Sequence, residues 1–270
     1  NVQNINVENL PNVYSTADVD GNIYNDYPDV QNGGAAAADS VVDLSRATDL
    51  ETLTVTEGQF TGLQASQNPG VLTIAGVRNG VTTTLDGGFT QNVTLHYSAE
   101  SDVAGTNLTF HNLSLGDGDG SNAQLVVAHN AETLNIDSVG AGNYLGESDL
   151  GGELRTLNVT GDAHLNIAGD LDTSFQTNTP VFIDASANTG GVTMDLAGVE
   201  QLTFTGSQGN DRSVLSASDS VEVTGSGGDN EYEVSAEDVV VNTGTGDNII
   251  TATGSNSATV NAEGGNNTID

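Results

Sequence analysis

Residues 202–270 read LTFTGSQGNDRSVLSASDSVEVTGSGGDNEYEVSAEDVVVNTGTGDNIITATGSNSATVNAEGGNNTID, and their periodicity settles the architecture. Phe204, Val223, Val241 and Val260 each close a run in which apolar and polar residues alternate, and each is followed within two to four residues by glycine. Their spacings are 19, 18 and 19. Between them lie second short runs, Val214-Leu215, Tyr232-Glu233-Val234 and Ile249-Ile250, with Thr268-Ile269 at the end. Alternation with period two marks a strand with one buried face. A unit of strand, turn, strand, turn this short cannot bury that face alone, so it must stack on its neighbours. The spacing predicts an all-β, right-handed parallel β-solenoid of the β-roll or β-helix kind.

Upstream the same logic holds with wider coils. A hexapeptide recurs as VQNINV (2–7), LETLTV (50–55), AETLNI (131–136), LRTLNV (154–159) and VEQLTF (199–204), its fourth and sixth positions always apolar. Ile136, Val159, Ile183 and Phe204, at steps of 23, 24 and 21, are expected to be equivalent positions. At roughly 20 residues per coil the chain would make about 13 coils, a rod of about 60 Å at the usual strand spacing. Residues 11–34 read as an irregular insertion, and the alanine run 35–38 as a short helix or a loop. The organisation expected is an irregular N-terminal strand and loop segment over 1–40, a wide-coil solenoid over 41–205 and a short-coil β-roll over 206–270.

Composition narrows the function. The 270 residues include 37 acidic side chains against four basic ones, for a formal charge of −33. Such a surface cannot hold phosphates, which need clustered Lys and Arg, and it is repelled by anionic lipid. No apolar run approaches the roughly 18 residues of a membrane span, and without cysteine there are no disulfides or thiolate metal sites. Thirty-four glycines and only 4% aromatics suit a thin, repetitive β structure better than a globule with a large aromatic centre. The chain begins at Asn1 with no signal-peptide pattern, which reads as a mature or excised piece.

The chemistry-bearing signal is a run of acidic turns. GSQGND (206–211), GSGGDN (225–230) and GTGDN (244–248) place Asp211, Asp229 and Asp247 at two equal steps of 18, with Asn230 and Asn248 beside the last two. In register these aspartates would stack on one edge and repel one another. A hard cation between turns removes that cost, and calcium fits best because it takes carboxylate and carbonyl oxygens in flexible geometry. GGNN (264–267) continues the series with amides. Asp219, Asp238 and Asn256 on the opposite turns suggest a second, weaker ladder, and Asp117 and Asp119 a further site in GDGDGS (116–121). Asp18, Asp20 and Asn22 resemble the middle of an EF-hand loop, but Thr16 and Tyr27 stand where its first and twelfth ligands belong.

These turns resemble the glycine- and aspartate-rich nonapeptide of RTX proteins. The wider blocks VVDLSRATDLETLTVT (41–56), RTLNVTGDAHLNIAG (155–169) and FIDASANTGGVTMDLAGVEQLTFTGSQGND (182–211) resemble the repeats of RTX-type S-layer and related secreted surface proteins of Gram-negative bacteria. The resemblance implies type I secretion, several bound calcium ions, an extracellular or cell-surface location and self-assembly into a lattice or filament. The chain departs from it in lacking a recognisable C-terminal secretion signal and lipopolysaccharide anchor.

Other classes fare worse. His96, His111, His129 and His164 fall in separate repeats, without the close spacing of a metal pair. Neither a nucleophile elbow nor a phosphate loop with lysine is present. A calcium-binding β-helix polysaccharide lyase would need a base beside an acidic sugar, and the four arginines lie apart without an aromatic platform. Ice binding needs threonines repeated on many coils, whereas the pair Thr243 and Thr245 occurs once. The expectation is therefore no enzyme but a calcium-dependent, self-assembling extracellular structural protein, an S-layer subunit or biofilm-matrix filament. Its first partner would be its own copies, with cell-surface glycan or lipopolysaccharide as a candidate second. An adhesin stalk or carbohydrate-binding module is the alternative, drawing on Tyr14, Tyr24 and Tyr27.

Overall fold

The computed structural model describes residues 4–9, 16–17, 23–24, 40–57, 71–78, 80–89, 92–97, 105–115, 124–128, 131–146, 148–151, 153–171, 175 and 179–270. Its strands are β1 (Asn4–Asn9), β2 (Thr16–Ala17), β3 (Ile23–Tyr24), β4 (Ser40–Asp43), β5 (Thr52–Glu57), β6 (Val71–Val77), β7 (Thr82–Phe89), β8 (Asn92–Tyr97), β9 (Thr106–Leu115), β10 (Leu125–Ala128) and β11 (Thr133–Val139). They continue as β12 (Asn143–Leu145), β13 (Ser148–Asp149), β14 (Thr156–Gly161), β15 (Leu165–Asp170), β16 (Pro180–Asn188), β17 (Val192–Thr205), β18 (Arg212–Thr224), β19 (Glu231–Thr243), β20 (Ile249–Ala262) and β21 (Thr268–Ile269). One 14-stranded sheet has the backbone order β1-β5-β7-β9-β11-β14-β16-β17-β18-β19-β20-β21, and a 7-stranded sheet has the order β13-β10-β8-β6-β4-β2-β3. Every described pairing except β2–β3 is parallel, and no described element is a helix. The chain is an all-β parallel solenoid.

The apolar alternation sets the register. Phe204 pairs with Val223, Val223 with Val241 and Val241 with Val260, as the sequence spacing requires. Ile5 pairs with Leu53, Leu134 with Leu157 and Ile136 with Val159, so the hexapeptide also marks stacked positions. One expected equivalence shifts. Ile183 lies opposite Leu157, not Val159, and a bulge in β16 takes up one extra residue after Asp184. The displacement is two residues, and because side chains alternate with period two it leaves the same face inward. The upstream steps are also wider than the ~20-residue average, 30 from Leu53 to Thr83 and 25 from Thr83 to Leu108, so the rod has fewer coils than expected.

Inside, the inward residues form one apolar core that includes Leu53, Leu85, Leu108, Ile136, Leu157, Ile183, Phe204, Val223 and Val241, with the buried Thr83 between Leu53 and Leu108. Phe204 and Tyr232 meet edge to face, with ring centroids 6.1 Å apart. Outside, Asn4, Thr52, Thr82, Asn107, Asn135, Asn158, Asp184, Thr205, Thr224, Asn242 and Asn261 stand in one row, each paired with the next. Their side chains join neighbouring coils, as in Asn135 to Asn107 (2.9 Å), Asn158 to Asn135 (2.8 Å) and Asn261 to Asn242 (2.7 Å).

The second runs of the C-terminal coils are not separate strands. β18, β19 and β20 continue through the corner opposite the glycine turns, where the pairing slips between Ser216 and Ser220 and between Ala236 and Asp238. A bulge turns the chain there with fewer residues than a loop would need. Replacing Phe204 by Ala should remove a side chain with 0% exposure and cost about 3–5 kcal/mol, whereas Thr205→Ala on the outer face should stay within about 0.5 kcal/mol. Denaturant melts of the two variants check the inward and outward assignments.

Candidate functional site

The turns 206–211, 225–230, 244–248 and 264–267 stack on one another, and glycine is what lets them approach. At Gly228, Gly246 and Gly265, where φ is +76°, +130° and +60°, an added Cβ would strike the carbonyl oxygen of Gly209, Gly228 and Gly246 in the coil before. This column fixes the alignment. Counted from it, the next two residues are Asn210-Asp211, Asp229-Asn230, Asp247-Asn248 and Asn266-Asn267.

Asp211, Asp229 and Asp247 therefore do not form one ladder. Arg212 pairs with Glu231, a step one longer than the aspartate spacing, and this puts Asp211 in line with Asn230. The turns carry two rows. The inner row is Asp211, Asn230, Asn248 and Asn267; the first three of these are buried. The outer row is Asn210, Asp229, Asp247 and Asn266, all exposed.

Both rows bond across the coils, in opposite directions. In the inner row the side-chain oxygen accepts an N–H from the preceding coil: Asp211 from Val192 (2.9 Å), Asn230 from Asp211 (2.9 Å), Asn248 from Asn230 (3.2 Å) and Asn267 from Asn248 (3.0 Å). In the outer row it accepts from the following coil: Asn210 from Asp229 (2.9 Å), Asp229 from Asp247 (2.8 Å) and Asp247 from Asn266 (2.6 Å). The inner amides also donate to the turn carbonyls. Asn230 Nδ2 reaches Gly227 O (2.9 Å) and Gly228 O (3.2 Å), Asn248 Nδ2 reaches Gly246 O (3.0 Å), and Asn267 Nδ2 reaches Gly264 O (2.6 Å).

Asp211 is the one carboxylate in the inner row. It accepts from Val192 N–H, Ser207 N–H (2.8 Å), the Ser207 hydroxyl and the Tyr232 hydroxyl (3.1 Å). Burial pushes its pKa above the ordinary 3.8 against the pull of these donors. Burial first, and the Asp211 charge second, hold the Tyr232 phenol well above its usual range, so it remains a donor.

The resemblance implies calcium, and these atoms test it. An interior cation would need the turn carbonyls and the inner-row oxygens. Those carbonyls already receive amide N–H groups, the inner asparagines present hydrogens to the same space, and the oxygens of Asp211 are filled by four donors. The inner position does not fit calcium. Asp229 and Asp247 are exposed, each with Oδ1 engaged by a backbone N–H.

The other candidates are dispersed. At the opposite corner Gln201 donates to Asp219 (2.7 Å) and Asn256 to Glu237 (3.1 Å), while Asp238 pairs with Ser220 and Ser257, so Asp219, Asp238 and Asn256 do not make a ladder. Asp117 and Asp119, like Asp18, Asp20 and Asn22, lie outside the described residues. Among the histidines, His96 is exposed, His111 contacts Asp86 at 2.7 Å on the surface, and His164 bonds Thr193 Oγ1 at 3.1 Å. Ser207, Asn210 and Tyr232 are the site residues that counting from aspartate misses; counting from the glycine column finds Asn210, and it sets Asn267 in the inner row.

Comparison with protein-family models, with curated proteins and with solved structures gives no match. The class is thus defined by the fold, a parallel β-solenoid whose C-terminal coils are joined by side-chain clamps.

A pH dependence follows from Asp211. Its folded pKa lies above the unfolded 3.8, so between the two values the folded state binds more protons. Its contribution to stability is complete below the unfolded value and falls as pH rises through that window. Asp211→Asn should abolish this component and, by setting an amide against the Val192 or Ser207 N–H, cost about 1–3 kcal/mol at neutral pH. Denaturant melts of both proteins between pH 3.5 and 7 check it.

Proposed function

We propose that the chain is a structural segment of a secreted surface assembly, an S-layer subunit or matrix filament, in which the solenoid serves as a stiff acidic rod. The observation that carries this reading is the unbroken parallel ladder from β1 to β21, whose outer faces repeat the same residue types coil after coil. Repetition of that kind gives extended, uniform surfaces on which copies associate side by side. Charge sets the condition. At a formal −33 the rods repel one another, and divalent cations on exposed carboxylates such as Asp229 and Asp247 lower that repulsion. Calcium in this reading acts between rods, and the self-assembly that the resemblance to RTX-type surface proteins implies is in keeping with it.

Negative-stain electron microscopy and sedimentation of the purified chain, in millimolar calcium and in excess chelator, test the proposal. Sheets or filaments in calcium that disperse on chelation are expected. Monomers at high concentration in both conditions would overturn it.

A further inference from the structure

We infer that the C-terminal coils, residues 206–270, hold together without divalent metal, because asparagine has taken the cation's place in their turns. The inference is independent of any surface assembly. Three observations lead to it. First, each step between coils carries a reciprocal pair of bonds: Asp229 N–H to Asn210 and Asp211 N–H to Asn230 at one step, then Asp247 N–H to Asp229 and Asn230 N–H to Asn248 at the next.

Second, the turn carbonyls that a cation would gather are drawn together by amide nitrogens. Asn230 Nδ2 spans Gly227 O, Gly228 O and Asn248 Oδ1 (3.1 Å), so one NH2 group links two turns as a metal ion would. Third, carboxylates are diluted by amides. Across the first step each row sets one aspartate against one asparagine, and only Asp229 and Asp247 are successive acids, on the exposed side where water screens them. The repulsion that would have demanded a cation is absent from the interior.

This separates two explanations of one sequence pattern. If metal joins the turns, Asp229 and Asp247 are ligands and their loss unstitches the coils. If amides join them, the two aspartates act as hydrogen-bond acceptors, and asparagine can accept the same N–H, as Asn210 does from Asp229.

Amide hydrogen exchange reads the answer locally, at the N–H groups of Asp211, Asp229, Asn230, Asp247 and Asn248. In the wild-type chain their protection should change less than about twofold between millimolar calcium chloride and excess EDTA at fixed ionic strength. The double variant Asp229→Asn/Asp247→Asn should fold, keep that protection, and melt within roughly 5 °C of wild type or above it. Protection that falls tenfold or more on chelation overturns the inference, and so does a double variant that fails to fold or loses protection in calcium. Rods that never assemble would defeat the surface-layer proposal and leave this result untouched.

Discussion

Backbone N–H groups at the corners of the coils are the constraint on which the structure turns. Along the strands N–H groups find carbonyls in the neighbouring coils on either side. At a corner the chain changes direction, the ladder is interrupted, and donors lose their regular partner; where they are buried, as at Asp211 and Asn230, an unpaired N–H would cost on the order of 1–3 kcal/mol. The glycine column brings successive corners close enough for one side chain to reach the coil above or below. Asparagine and aspartate have the right length, and with one of them in each row every step between the turns 206–211 and 264–267 is bonded from both sides.

The same economy handles the charge. A chain with 37 acids and four arginines needs to keep its carboxylates apart or partnered. Many accept a nearby donor: Asp43 from Ser45 N–H (2.9 Å), Asp149 from Gly151 N–H (3.0 Å), Asp184 from Ser186 N–H (2.9 Å) and Asp137 from the Thr160 hydroxyl (2.9 Å). The donor from Ser45 lowers the Asp43 pKa, so this acid stays ionised at modest acidity. Asp211 is driven the other way, upward by burial, although four donors surround it.

Much of the architecture was legible because period-two alternation has one physical reading. Phe204, Val223, Val241 and Val260 fell into register because a slip of one would turn the apolar side chains outward and because each ends its strand just ahead of a glycine turn. Two features resisted. Ile183 stands opposite Leu157 ahead of the bulge in β16, and nothing in an apolar pattern distinguishes a slip of two from none, since both bury the same face. The aspartate ladder failed for a related reason: two equal steps between acids looked periodic, but the coil from Gly209 to Gly228 is longer by one than the coil from Gly228 to Gly246. The steric column of glycines, not the acids, keeps the count.

Opposed rows also bear on how such a rod carries load. Inner side chains reach back along the axis and outer ones reach forward, so a pull that separates two coils strains both bonds together. A tug along the axis is thus shared by two side-chain bonds at each of these corners, in addition to the strand ladder.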